Sequence, residues 1–144
     1  MPALTNTQVV AEWVKTLPGV IPTLVGPTLP REPSVWSDQA FWQVVLVGGD
    51  PHRDLPLKEP VVEINVWTAS PEGATAPYNR AESLCMDVRN RAFAARSRHI
   101  TIAGQDVFLL GILCTAEPRR YPEPRTNFAR VALTVQAYWS EVAA

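Results

Sequence analysis

The last apolar stretch of the chain, Phe128 to Tyr138, alternates with a period of two. Ala129, Val131, Leu133, Val135 and Ala137 fall on one side; Phe128, Arg130, Ala132, Thr134, Gln136 and Tyr138 fall on the other. Such alternation predicts a strand with one packed face and one wet or partner-facing face. Residues 61–68, VVEINVWT, repeat it, with Val62, Ile64 and Val66 opposed to Glu63, Asn65 and Trp67. FWQVVLV at 41–47 and the run from Val107 to Ala116 are apolar almost throughout and predict buried strands. HITIAGQDV, from His99, reads as a short strand with a turn around Gly104.

Twice the apolar spacing changes to three and four residues. Thr5-Asn6-Thr7-Gln8 reads as a capping box, and Val9, Val10, Trp13, Val14 and Leu17 follow on one helical face until Pro18-Gly19 ends it. A longer helix is expected from Thr75 as cap and Pro77 in the first turn to about Ala95. Its stripe is Ala81, Leu84, Cys85, Val88, Ala92 and Ala95. Loops are expected at the proline-laced 20–34, at 50–60 after Gly48-Gly49-Asp50-Pro51, and at EPRRYPEPRT, 117–126. The pattern predicts one α+β domain over residues 1–144. Its expected form is a mostly antiparallel sheet of four to five strands with one long and one shorter helix packed on one face.

The composition, 47% hydrophobic and 19% charged over 144 residues, is that of a globular chain with a core of its own. No apolar run approaches the roughly 20 residues of a membrane span. MPALTNTQVV lacks a basic segment followed by an apolar core, so no signal peptide is expected and the protein is placed in cytoplasm. Cys85 and Cys114 lack CxxC spacing and read as reduced, buried thiols. Charge is uneven: residues 1–75 carry four Lys/Arg against eight Asp/Glu, and residues 76–144 carry nine Arg against six acids. That asymmetry fits self-association through complementary surfaces, or a patch facing a polyanion.

Candidate chemistry is sparse. Asp50, His52 and Asp54 lie close in sequence, but a solvated Gly-Gly-Asp-Pro turn accounts for them without a metal. Gly48-Gly49 has neither phosphate-loop nor dinucleotide spacing, and His99 accompanies no nucleophile motif. Neither an enzyme nor a cofactor is expected. The arginines carry more. Arg89, Arg91, Arg96 and Arg98 cluster at the end of the long helix, where they complement its dipole. Arg119, Arg120 and Arg125, interleaved with prolines, predict a stiffened cationic arm for bidentate contacts with a partner's carboxylates. Trp67 and Tyr138 project from the polar sides of their strands, where an interface would use them.

Two segments, VVEINVWTASPEGATAPYNRAESLCMDVRNRAF at 61–93 and EPRRYPEPRTNFARVALTVQAYW at 117–139, resemble the phage tail terminator (tail completion) family of long-tailed phages, in the form found in actinobacterial phages. The resemblance implies a subunit, monomeric or weakly associated when free, that forms a hexameric ring on the tail. The ring stops tube elongation, meets the head-side connector and leaves a lumen through which DNA passes without specific binding. The implied partners are further copies, the tail tube protein and the head-side neck proteins, and no membrane. The implied location is the virion, after assembly in host cytoplasm. The resemblance fixes no site residue by motif. The alternation itself offers Glu63, Asn65, Arg130, Thr134 and Gln136 as a polar face suited to a lumen, and Arg119, Arg120, Arg125, Trp67 and Tyr138 as contacts between subunits or partners. Competing readings are a head-completion or neck connector protein, a nucleic-acid-binding module and a small enzyme with a cleft between the 20–34 and 117–126 loops. The near-neutral pI of about 6.1 argues against the nucleic-acid module.

Overall fold

The computed structural model describes residues 4–36, 39–49, 57–70, 76–122 and 127–142. Helix α1 covers Asn6–Lys15, and its start is the expected capping box. The Gln8 N–H donates to Thr5 Oγ1 at 3.1 Å and the Thr5 N–H donates to Gln8 Oε1 at 2.8 Å, satisfying two otherwise orphaned donors. Helix α2 covers Tyr78–Ala92 and buries Ala81, Cys85, Val88 and Ala92. Pro77 is its N-cap; the expected cap Thr75 lies outside the described residues.

Six strands form one sheet: β1 (Val25–Gly26), β2 (Phe41–Gly48), β3 (Val61–Ala69), β4 (Arg98–Ile102), β5 (Gln105–Tyr121) and β6 (Phe128–Glu141). Their order is β1-β2-β3-β6-β5-β4, with β1 parallel to β2 and every other neighbouring pair antiparallel. The expected sheet of four to five strands is therefore corrected to a mixed six-stranded half-barrel, and among the described residues strand outweighs helix, 46% against 26%. The period-two pattern missed β1 because two residues are too short to show a period, and prolines surround it. It also cut β5 short. The segment 117–121, expected as loop, continues the strand through register slips after Leu109, Cys114 and Ala116. Pro118 sits at the last slip, where a missing N–H interrupts no regular ladder.

Turn chemistry closes the hairpins. Between β4 and β5 only Ala103 and Gly104 intervene, with φ of 50° and 79°, the left-handed pair that a two-residue hairpin requires. After β2, Gly49 has φ 96°, and a Cβ there would collide with the Glu59 carbonyl and the Val61 nitrogen, so the return chain crosses directly over it.

The main core lies on the concave face. Val62, Ile64 and Val66 of β3 and Ala129 through Trp139 of β6, alternate residues, meet both helices there. Helix α2 crosses β3, β6 and β5, whereas α1 touches β1 and β2 at one margin and β4 at the other. Only a strongly curled sheet brings both margins to one short helix. The Trp139 indole N–H, buried in that core, donates to Asn6 Oδ1 at 2.9 Å and ties β6 to the start of α1. No described helix is long and apolar enough to cross a membrane.

A second, smaller core occupies one end of the convex face. Leu24, Trp36, Phe41, Trp67, Ala69 and Phe128 cluster there with Leu29 against them. The proline-laced connection supplies Leu24, Leu29 and Trp36 through two single 3-10 turns, so it is a strap packed on the sheet. Trp36 stacks tilted on Phe128 at 5.4 Å between ring centroids. Trp67, expected at a partner interface, is 8% exposed and belongs to this core.

Candidate functional site

Beyond the strap, the convex face turns polar. Antiparallel pairing aligns Glu63 with Thr134, Asn65 with Ala132, and Trp67 with Arg130 across β3 and β6, and Tyr121 with Arg130 across β6 and β5. The register therefore gathers Glu63, Asn65, Arg119, Tyr121 and Arg130 into one patch. Arg130 Nε donates to Asn65 Oδ1 at 2.7 Å, and its Nη2 donates to Glu63 Oε1 at 3.1 Å. The second Glu63 oxygen accepts the Tyr121 hydroxyl at 3.2 Å and lies 3.5 Å from Arg119 Nη2. Arg119 in turn donates to the Tyr121 hydroxyl from Nε at 2.9 Å and from Nη2 at 2.6 Å. The Arg130 guanidinium lies 4.3 Å above the Tyr121 ring and 5.5 Å from that of Trp67.

The carboxylate of Glu63 is thus the hub. Its side chain is only 16% exposed, and three donors surround it. Burial of such a group is tolerated because its lone pairs are filled by charged or hydroxyl donors. Asn65, expected on an exposed face, is fully buried beneath Arg130, and its Nδ2 has no partner among the described residues. Below this patch, the Trp67 indole donates to Gln43 Oε1 at 3.0 Å, and Gln43 donates to the Pro27 carbonyl at 3.3 Å, joining the patch to the strap. Further along, Gln136 donates to the Glu59 carbonyl at 3.3 Å and accepts from the Tyr138 hydroxyl at 3.1 Å. Thr134 is half-buried on the same face.

The expected cationic arm is corrected as well. Arg119 and Arg120 are consecutive strand residues and so point to opposite faces. Arg120 turns toward α2, where Nε meets Glu82 Oε1 at 2.7 Å and Nη2 meets Asn79 Oδ1 at 3.0 Å, with Tyr78 5.1 Å beneath. The hydrogen bond from Arg120 holds the Glu82 carboxyl below the usual carboxylate range. Arg125 lies outside the described residues, as do Asp50, His52 and Asp54. Sequence reasoning missed Tyr121 and Gln43: one sat inside an expected loop, the other inside an apolar run. The signal was present in the alternation of 119–121, once Pro118 is allowed at a bulge.

At the margin of the sheet, a cavity of about 410 Å³ opens between the end of α2 and β5, among Phe93, Leu110, Ile112, Leu113, Cys114 and Tyr138. Arg89 at its rim is paired with Glu117 at 2.8 Å. Burial pushes the Cys114 thiol up, and pushes Cys85 from the usual 9.0 to about 12, so neither is an activated nucleophile. Among the described residues, no group of three His, Cys, Asp or Glu side chains is placed to hold a metal ion. No known family model matches the chain, and no curated protein matches it either.

Proposed function

We propose that this chain is a virion structural subunit: a tail terminator whose copies form a ring, hexameric in the form the resemblance implies, on the end of a tail tube. The ring would stop elongation and offer the joining surface to the head-side connector. The observation that carries this reading is the convex polar patch. Its two arginines are held on Glu63, Asn65 and Tyr121 rather than left open, which suits a wall that DNA slides past. Free arginines would instead add salt-sensitive phosphate affinity at each contact and slow transit. Glu63, Arg130, Thr134 and Gln136 would face the lumen, and the strap at one end would lie toward a rim.

Electron microscopy of the purified protein mixed with tail tubes tests this. Caps at tube ends are expected. Binding to filled heads but not to tubes would transfer the chain to the neck-connector class, and unlimited tube growth by this protein alone would sink the terminator reading. The lumen assignment has its own test: Glu63→Ala should raise duplex affinity with a steeper salt dependence, by releasing Arg119 and Arg130. Unchanged duplex binding would remove the polar patch from the DNA path.

A further inference from the structure

The cavity between the end of α2 and β5 is hollow because small residues stand where large ones would fill it. Ala92 on α2 and Gly111 on β5 both line it, and Gly111 follows the first register slip of β5. A Cβ built on Gly111 would meet the Ala95 carbonyl at 3.6 Å and, its chain neighbours aside, no side chain. Phe93, Leu110, Ile112 and Leu113 supply apolar walls, and Phe93 remains 57% exposed. The volume, about 410 Å³, falls within the roughly 300–1,000 Å³ of small-molecule sites, which join apolar walls to a few orienting polar groups.

Its polar side chains are few, and all but one are engaged. Arg89 pairs with Glu117 at 2.8 Å, the Cys114 thiol donates to the Ala116 carbonyl at 3.3 Å, and the Tyr138 hydroxyl donates to Gln136 at 3.1 Å. Arg96 is the exception. It lines the cavity, is exposed, and its guanidinium meets no acceptor among the described residues. Of the three charged side chains lining the cavity, the single acid is therefore already matched and one cation is left over. An anion with an apolar body answers both features: the walls remove its chain from water, and a guanidinium fork holds its head. An inorganic anion would leave the walls wet, and a plain hydrocarbon would leave Arg96 unused. Register slips between Leu109 and Gly111 and between Cys114 and Ala116 interrupt the regular edge that an added strand would need. The hollow, rather than the strand backbone, is the recognition feature.

We propose that this cavity binds a small amphiphilic monoanion, a medium-chain carboxylate, with its chain among Phe93, Ile112 and Leu113 and its head on Arg96. The site uses none of Glu63, Asn65, Arg119, Tyr121 and Arg130. It is a property of the single chain and stands independently of the ring reading.

Calorimetry of the full chain with octanoate, decanoate and dodecanoate, each kept below its micelle concentration, tests the site. One saturable site is expected, tightening about fourfold with each added methylene until the cavity is full. 1-Decanol should bind about threefold to fivefold more weakly than decanoate, the difference expected of an exposed charge pair. Arg96→Gln should erase that difference and leave decanol binding unchanged, which a merely structural role for Arg96 would not do. Leu110→Trp, at an exposed position, should block the cavity and abolish binding of both ligands, with far-UV circular dichroism unchanged. Cys114 gives a readout that needs no variant. Saturating decanoate should slow its reaction with a disulfide reagent severalfold, while Cys85 stays buried. No saturable binding, affinity indifferent to chain length, an undiminished preference of Arg96→Gln for decanoate, or Cys114 left unprotected would overturn the site. Tube capping, read by microscopy, is decided separately from any of these results.

Discussion

The two faces of β3 and β6 are built from alternate residues of the same segments, yet they hold together by different physics. On the concave face Val62, Ile64, Val131, Leu133 and Val135 are fully buried among the side chains of two helices. On the convex face the intervening Glu63, Asn65 and Arg130 are held by directional bonds, and an apolar cluster forms at the end under the strap. The first depends on area removed from water and tolerates changes of similar volume. The second depends on the pairing of its charged members, so deleting one leaves the others uncompensated. Rigidity on the concave side therefore sets the platform on which a polar pattern is displayed on the other.

The contrast can be broken most severely from the concave side. Trp139→Ala should destabilise by about 3–5 kcal/mol in denaturant unfolding, since it empties a fully buried site and also orphans Asn6. A loss under 1 kcal/mol would mean that α1 does not depend on β6. Trp36→Ala removes the largest side chain of the strap and should cost about 3 kcal/mol, the low end for such truncations, because a strap relaxes more readily than a helix–sheet core. Protease sensitivity confined to residues 20–36 would mark it as local; global unfolding would make the strap part of the main core.

Titration separates the two sides again. The folded Cys85 thiol keeps its proton up to about 12, while the unfolded thiol loses it near 9.0. Stability should therefore fall as pH rises above 9, by at most about 1.4 kcal/mol per unit until the folded thiol also titrates. Cys85→Ala should flatten that slope in unfolding measured across alkaline pH, and an unchanged slope would place the thiol in contact with water. Glu63→Ala should cost about 1–2 kcal/mol, because two guanidinium groups lose their carboxylate in a half-buried patch. Recovery on adding Arg119→Ala in a double-mutant cycle would sharpen the case for a coupled network; strict additivity would count against it.

The smallest effect belongs to Arg120→Ala, whose exposed pair with Glu82 is screened by solvent. Because the folded Glu82 carboxyl is held below its ordinary value of 4.5, that support is present above pH 4.5 and is lost as pH falls through the lowered value. The mutant and the parent should therefore converge in thermal stability at low pH. Divergence there would assign Arg120 a role other than the ion pair.

Much of this molecule was legible from residue order. Strands at 61–68 and 128–138 and both helices follow from the period of their apolar positions, and the capping box at Thr5 and Gln8 is local chemistry; the apolar run at 41–47 gave the strand but not its exposure, since Val45, Leu46 and Val47 are exposed. The sharing of one face by Glu63, Asn65, Arg130, Thr134 and Gln136 follows from alternation plus pairing. Less legible was which of them water reaches. Asn65 and Trp67 vanish under Arg130 and the strap, and no pattern within β3 announces what another segment will lay over it.

Composition and periodicity, which act through neighbours in sequence, determined that this chain makes two-sided strands and one-sided helices. Only the tertiary structure decided that Arg119 would meet Glu63 while Arg120 met Glu82, and that Leu24, Leu29 and Trp36 of the proline-laced strap would cover Trp67. The reason is distance along the chain. Glu63 and Arg130 are brought together by strand register, and register is set by the whole buried face at once.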